Sequence, residues 1–367
     1  MKVLFDIGHP GQVHLFKYII RNLEAGGHEI KLCVREREDI VKRLLDIYGF
    51  NYESLENNVP GLFNKAITMF KNDYKLIRIS KDFNPDLYVS LGSPYSAQVS
   101  KILRRQSITF TDTEPSGLIL ALTVPFTDVI ITPSGFTSDL GKKQLRINGY
   151  KELAYLHPNW FEPKSDILDV LGISRNEPYV ILRFSSFDAS HDIGIKGFSL
   201  EDKRRLVKEL NEYSTVFISS EMGLSKDLER YRLDIPVHRM HDALYYASML
   251  VSDAGTMTTE SAVLGTPAVF SHPRSLKMSN FIELENNYGM IFNIMEINDV
   301  IKKSLDLIKQ PQIKLEWKNK KQKLLNDKID VTSFMTWFIA DYPDSIMVMK
   351  EDPFYQERFK PKNFDLL

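Results

Sequence analysis

The sequence predicts an α/β protein built from two doubly wound domains. Three observations carry this reading. Short apolar strands alternate with amphipathic helices along the chain. Glycine-containing loops follow several of those strands. The chain has 367 residues, enough for two domains of ordinary size. Hydrophobic residues are 43% and charged residues 26% of the total, a globular balance. A net charge of −1 argues against a general nucleic-acid binder. Cys33 is the only cysteine, so neither an internal disulfide nor a cysteine-based zinc site can form.

The first half alternates regularly. Val3-Leu4-Phe5 begins a strand, and Asp6 to Gln12 follows as a loop carrying Gly8 and Gly11. A helix then spaces Val13, Phe16, Ile19, Ile20 and Leu23 by three and four, and Gly26-Gly27 ends it before strand Ile30–Val34. Gly8-His9-Pro10-Gly11 lacks the spacing of a dinucleotide fingerprint. His9 and His14 flank the helix start, each readable as a ligand contact or as a cap or loop residue. Helices are expected over Asp39–Tyr48 and Asn64–Phe83, the second with Ile67, Phe70, Tyr74, Ile77 and Ile79 as its apolar residues. Between them, Asn57 to Phe63 is a loop or an acceptor-side flap. Leu87–Leu91 is a buried strand, and Gly92-Ser93-Pro94-Tyr95 opens the next helix. Past strand Ile108–Phe110, Asp112 and Glu114 stand two apart; they suit a general base or sugar hydroxyls, and equally an N-cap pair. Asp128–Thr132 and Leu145–Ile147 close the first sheet.

Tyr150 to Pro163 reads as the connection between domains, and Asp166–Leu171 as a short helix. Tyr179–Phe184 is a strong strand whose polar end runs from Arg183 and Ser185 to His191 and Asp192. Leu200–Leu210 is an amphipathic helix and Val216–Ser220 a strand with Glu221 beyond it. Pro236–His241 is expected to end a shorter strand and enter helix Asp242–Ser248. After strand Met249-Leu250-Val251 comes Ser252-Asp253-Ala254-Gly255-Thr256-Met257-Thr258-Thr259-Glu260, then a helix stop at Gly265-Thr266-Pro267. A strand, a glycine turn and a helix N-terminus make an anion site, because the first N–H groups of a helix lack partners and its dipole is positive there. Thr256, Thr258 and Thr259 offer hydroxyl donors, and Glu260 shares a face with Thr256. The plainer alternative makes Thr256 a cap and Glu260 a solvated charge. Ser271 to Asn280 adds Arg274, Lys277 and Asn280. Asn298–Ile308 is a helix, and Lys318, Lys320, Lys321 and Lys323 form a basic run expected to be solvated. Val331–Ile339 is apolar and aromatic, and Asp352–Leu367 is expected to be irregular.

Gly255-Thr256-Met257, then Glu260, then Leu264-Gly265-Thr266-Pro267 resembles the donor-nucleotide motif of GT-B glycosyltransferases and UDP-N-acetylglucosamine 2-epimerases. The fuller chain resembles domain-of-unknown-function family 354 of archaea and bacteria. The resemblance implies a GT-B fold: two Rossmann-like doubly wound domains facing across a cleft, with a C-terminal helix crossing back to the first. It implies an acceptor domain at 1–155, a nucleotide-sugar donor domain at 165–325, and a crossing helix and tail at 326–367. It further implies that Gly255 and Thr256 hold the diphosphate and Glu260 the ribose, with Met257 among the donor-binding residues. Arg183, Ser185 and His241 would belong to the donor side, and Asn280 would touch the donor sugar. Gly8, Gly11 and Ser93 would line the acceptor loops. His14, Asp112 and Glu114 are the candidate bases, His14 by likeness to the first loop of the lipid-intermediate N-acetylglucosaminyl transferase.

The expected activity is a metal-independent transfer from a nucleotide-diphosphate sugar, UDP-N-acetylglucosamine or a related UDP-sugar, to an acceptor sugar or lipid-linked glycan. Backbone dipoles would stabilise the leaving diphosphate, so no metal or other cofactor is expected. A UDP-sugar 2-epimerase or hydrolase is the alternative. Against it, the epimerases' Gly-Asp-Thr loop stands here as Gly92-Ser93-Pro94, and their His-Arg-Arg-Glu-Asn segment as Arg183-Phe184-Ser185-Ser186-Phe187. A non-catalytic nucleotide-binding protein on the same fold is the third reading. The opening residues enter a strand directly, so no signal peptide is expected. A cytoplasmic location is expected, with peripheral contact to the membrane surface if the acceptor is lipid-linked.

Overall fold

The computed structural model describes residues 1–35, 39–55, 62–114, 117–186, 197–273 and 275–361, the side chains of 62–67 excepted. The described residues divide into two compact units, one of residues 1–155 together with 328–361, the other spanning Leu156–Asp327. Each is built on its own parallel sheet.

The first unit contains β1 (Lys2–Ile7), α1 (Pro10–Ala25), β2 (Glu29–Arg35), α2 (Asp39–Ile47), β3 (Glu53–Leu55), α3 (Leu62–Phe83), β4 (Leu87–Leu91), α4 (Pro94–Ile102), β5 (Gln106–Phe110), α5 (Gly117–Thr123), β6 (Val129–Pro133) and β7 (Gln144–Ile147). A short helix, α6 (Leu153–Leu156), follows in the segment read as a connection. The strands pair in the order β3-β2-β1-β4-β5-β6-β7, all parallel. A parallel sheet covered on both faces needs strands that are apolar throughout, and Val3, Leu4, Phe5 and Ile7 of β1 are all fully buried. Strand order reverses direction between β1 and β4, so the carboxyl ends of those two strands form the switch point where ligands gather.

The second unit contains α7 (Ile167–Leu171), β8 (Tyr179–Phe184), α8 (Leu200–Leu210), β9 (Thr215–Ser220), α9 (Met240–Tyr246), β10 (Met249–Ser252), α10 (Gly255–Leu264), β11 (Ala268–Phe270), α11 (Ser279–Asn286), β12 (Ile291–Asn293), α12 (Ile297–Ile308) and α13 (Ile313–Asp327). Its sheet runs β12-β11-β10-β8-β9, again parallel, with the switch point between β8 and β10. α10 is buried on all sides from Met257 to Leu264, which is why its sequence shows no polar stripe.

Two helices follow, α14 (Val331–Ala340) and α15 (Asp344–Glu351). α14 packs on the first unit: Thr332 Oγ1 donates to Ala154 O at 2.6 Å, and Asn22 Nδ2 donates to Thr336 Oγ1 at 3.3 Å. No described helix is long and apolar enough to cross a membrane.

Several local expectations are corrected. Pro236–His241 forms no strand; Val237–Arg239 is a single 3-10 turn leading into α9. Pro236 has no N–H for a ladder and the segment has too few apolar residues to bury. The basic run on α13 is not simply solvated. Lys320 Nζ donates to Gly289 O at 2.8 Å and lies 3.6 Å from the Trp317 ring centroid, and burial lowers the Lys321 ammonium to about 8. In the tail, Asp352 Oδ1 accepts from Phe354 N at 3.0 Å and opens a 3-10 helix over Pro353–Phe359. Its Tyr355 stacks on Trp337 with ring centroids 4.7 Å apart. α3 buries only part of the expected set: Ile77 and Ile79 pack against the core, whereas Phe70 and Tyr74 face solvent and Thr68, Asn72, Leu76 and Ser80 are the fully buried residues. The suggested flap at 57–63 lies outside the described residues, apart from the backbone of Leu62 and Phe63.

Candidate functional site

In the second unit, the candidate residues converge on the carboxyl ends of β8 and β10. β10 ends at Ser252, whose hydroxyl accepts from Ala254 N at 2.8 Å. Ala254 is the N-cap of α10 and supplies no side-chain hydrogen bond. Thr256 is therefore not the cap, and the first turn of α10 keeps the uncapped N–H character that suits an anion. Thr258 Oγ1 donates to Ala254 O at 2.9 Å and Thr259 Oγ1 to Gly255 O at 3.4 Å. These two hydroxyls bond back into their own helix, as mid-helix threonines do, and are not the ligand donors expected of them. Thr256 alone of the three is part-exposed; Met257 is buried.

Gly255 has a packing reason to be glycine. A Cβ there would lie 2.9 Å from Phe281 Cζ, and Phe281 in turn packs against Phe270 with centroids 4.6 Å apart. Gly255→Ala is expected to cost about 1–2 kcal/mol, the usual scale of mild overpacking. The cost should shrink in a Phe281→Leu background. Equal costs in both backgrounds, measured by thermal denaturation, would exonerate Phe281.

Glu260 is no solvated charge. It is 4% exposed and its Oε1 lies 3.1 Å from Nε2 of His241, itself 4% exposed. Phe161 meets the His241 ring edge-on at 6.1 Å. Asn280 on α11 is also buried; its Nδ2 donates to Thr259 Oγ1 at 3.4 Å, and its Oδ1 has no hydrogen-bond partner among the described residues. Glu260, His241 and Asn280 are thus gathered around α10.

Arg183 at the end of β8 is already engaged. Its guanidinium donates to Ser219 Oγ at 2.9 Å and pairs with Glu221. Glu221 Oε2 also accepts from Ser186 N at 3.0 Å and from Ser185 Oγ at 3.4 Å. Ser185 N donates to Asp253 Oδ1 at 2.7 Å, and Phe198 N to Asp253 Oδ2 at 3.3 Å. Burial pushes the Asp253 carboxyl up to about 6, against the stabilising pull of those two N–H groups. Asp253 and Glu221 therefore fix the β8 loop, a role the sequence reading did not assign them. His191 and Arg274 lie outside the described residues.

In the first unit the candidates fall into separate groups. At the β1–β4 switch point, Gly8 N donates to Gln12 Oε1 at 2.6 Å, and Gly11 N to the ring of His9, the N-cap of α1, at 3.1 Å. Gly11 is thus part of the first helical turn rather than of the loop. Ser93 is fully buried, with its hydroxyl on Asp6 and on Arg35 Nη1, the latter at 2.7 Å. Arg35 also pairs with the buried Asp6 at 2.9 Å. His14 is buried, its Nδ1 3.4 Å from the Tyr48 hydroxyl and its ring 5.5 Å from that of Tyr155.

Asp112 belongs to a third group, past the end of β5. Lys151, just past the end of β7, pairs with it and with Glu152, whose Oε1 is 3.0 Å away. Glu152 is 1% exposed. Burial pushes its carboxyl up to about 7, with Lys151 opposing and Asp112 reinforcing the shift. Burial by itself would lower the Lys151 ammonium, but the two carboxylates outweigh it and hold it raised. A cavity of about 10 Å³ adjoins the group, lined by Thr111, Asp112, Lys151 and Thr132 among others. This arrangement sets the Asp112 side chain and the Lys151 ammonium beside a carboxyl whose hold on its proton is strengthened by burial. Glu114 sits close by in sequence, half-buried. Lys151 and Glu152 carry no recognisable motif, so only the fold reveals them.

Comparisons with known proteins agree with this architecture. The chain is 25% identical over 287 residues to the uncharacterised protein MJ0665 of Methanocaldococcus jannaschii, covering 75% of this chain and 83% of that one. Among solved structures, it superposes on a UDP-GlcNAc 2-epimerase from Neisseria meningitidis bound to UDP-GlcNAc with a TM-score of 0.66 at 12% identity, covering 86% of this chain and 94% of that one. It superposes on the spinosyn forosaminyltransferase SpnP with a TM-score of 0.62 at 14% identity, covering 93% and 100%. The fold is therefore GT-B, shared by epimerases and glycosyltransferases. Residues 1–340 match the pattern of the protein family of unknown function DUF354, and the chain belongs to that family.

Proposed function

We propose that the protein is a metal-independent glycosyltransferase whose donor is a nucleotide-diphosphate sugar, UDP-N-acetylglucosamine or a related UDP-sugar, acting in glycoconjugate or cell-surface polysaccharide synthesis. The observation that carries this reading is the N-terminus of α10. It lies at the β8–β10 switch point without a side-chain cap, and Glu260, in the next turn, is held by His241. The first N–H groups of α10, with Thr256, bind the diphosphate and stabilise the charge that develops on it as the glycosidic bond breaks. Glu260 grips the ribose, in an orientation set by His241. Asn280 Oδ1, an acceptor with no described partner, accepts a hydrogen bond from a hydroxyl or amide N–H of the donor sugar. In the first unit, the Asp112–Lys151–Glu152 group is the base that takes the acceptor's hydroxyl proton, with Glu114 the alternative two residues on from Asp112.

A UDP-sugar 2-epimerase or hydrolase is the second reading, favoured by the named epimerase among the fold neighbours. Gly92-Ser93-Pro94 still counts against it, because Ser93 is engaged with Asp6 and Arg35 and supplies no carboxylate.

The test is to follow melting temperature with UDP, GDP, dTDP and CMP, for the wild type and for Glu260→Ala. A ligand at one hundred times its dissociation constant stabilises by about 2.7 kcal/mol. Selective stabilisation by UDP, lost in Glu260→Ala, is the expected result. No response to any nucleotide would sink the donor-site reading. Turnover of UDP-N-acetylglucosamine without an acceptor would favour the epimerase or hydrolase, and turnover only with one the transferase.

A further inference from the structure

α3 presents an outward face unlike that of an ordinary surface helix. Thr68, Asn72, Leu76 and Ser80 are its buried stripe. At about 100° per residue, Phe70, Tyr74, Arg78 and Lys81 all lie within about 40° of the opposite direction. Phe70 is 70% exposed and Tyr74 65% exposed. Lys75, Arg78 and Lys81 are exposed with them. On the described part of the helix, the one fully exposed acid is Asp82. Asp73 is half-buried, and burial, reinforced by Asp6, pushes its carboxyl up to about 7.

Outward helix faces are ordinarily polar. Two large rings one turn apart in water mark a surface that meets something. The chemistry narrows what that is. Aromatic rings interleaved with Lys and Arg are what an interfacial helix offers to a bilayer: the rings enter the headgroup boundary and the cations meet anionic lipid. A second copy of this chain would set the same positive face against itself, which is repulsive.

We propose that α3 docks the first unit on an anionic lipid surface, with Phe70 and Tyr74 inserted at headgroup depth and Arg78 and Lys81 against lipid phosphates. The proposal does not rest on the sugar-nucleotide reading, and its test uses no nucleotide.

The experiment is co-sedimentation of the full chain with phosphatidylglycerol–phosphatidylcholine vesicles and with pure phosphatidylcholine vesicles. Sedimentation velocity without lipid runs in parallel. Binding to the anionic vesicles and not to the neutral ones is expected. Arg78→Gln with Lys81→Gln should weaken it roughly thirtyfold, about fivefold for each charge lost. Phe70→Ser with Tyr74→Ser should abolish it at an unchanged melting temperature, since both rings are already in solvent. Absence of binding to anionic vesicles would overturn the proposal, as would equal binding by the wild type and both variants. Self-association lost in Phe70→Ser/Tyr74→Ser would overturn it too, assigning the face to a second copy of the chain.

Discussion

Lys151→Met is expected to lower the stability of the protein by about 3–5 kcal/mol, the usual cost of removing one partner from a buried ion pair. The side chains involved are well enclosed: Lys151 is 14%, Asp112 13% and Glu152 1% exposed. The substitution leaves two carboxyls without the ammonium that both contact. For a protein of 367 residues the melting temperature should fall by roughly 5 °C. The loss should be larger at pH 8 than at pH 6, because a protonated Glu152 needs its cation less. The sign in the wild type follows from the same group. Burial pushes the Glu152 carboxyl up to about 7 in the folded state, against an ordinary glutamate value of 4.5 when unfolded. Between those values the folded state binds more protons, so this group's contribution to stability falls as pH rises. Glu152→Gln should flatten that part of the pH dependence of the melting temperature. An unchanged slope in Glu152→Gln would mean the group does not titrate there. Asp253 and Asp73 shift in the same direction, so the slope should be reduced rather than erased.

Asp253→Ala is expected to cost about 3 kcal/mol. The carboxylate accepts the backbone N–H groups of Ser185 and Phe198 at 2.7 and 3.3 Å. Hydrogen bonds to a charged group are each worth about 1.5–3 kcal/mol, and the burial that raises this carboxyl to about 6 offsets part of the sum. Asp253→Asn keeps the shape and one acceptor oxygen, so it should cost about 1 kcal/mol. The alanine variant should also lose much of the thermal shift given by UDP, because Ser185 is no longer fixed beside the α10 turn. A full UDP response in Asp253→Ala would separate this loop from the donor site.

The residues around the N-terminus of α10 were more legible than the Asp112–Lys151–Glu152 group, for a physical reason. A strand, a glycine turn and a helix are contiguous in sequence, so Gly255, Thr256 and Glu260 could be placed together before any fold was known. The Asp112–Lys151–Glu152 group joins residues that follow two different strands, β5 and β7. Only the sheet brings them together, and a Lys-Glu dipeptide looks like any surface pair. The same limit explains α3. Spacing favoured Phe70 and Tyr74 as its core because they are the largest apolar residues there. Packing instead buried the smaller Thr68, Asn72 and Ser80 with Leu76, letting the helix lie close to its neighbours. His241 was placed near the donor site by resemblance, but its partner Glu260 was not foreseen, since nothing in the sequence joins an α9 side chain to one on α10. Pro236–His241 was misread because a few residues cannot distinguish a strand end from a 3-10 turn.

The return of α14 to the first unit has a consequence for how the chain assembles. Ile329 N donates to Asn148 O at 3.0 Å, Thr332 Oγ1 to Ala154 O at 2.6 Å, and Asn148 N to Gln356 Oε1 at 2.7 Å. The first unit is therefore discontinuous in sequence, and among the described residues the second, Leu156–Asp327, is continuous. During synthesis the unit that emerges first must wait, its α1 and β7 flanks uncovered, while the second unit can close on itself. The usual vectorial order, amino-terminal domain before carboxy-terminal domain, is inverted here. The segment that seals the first unit is made only after the whole of Leu156–Asp327.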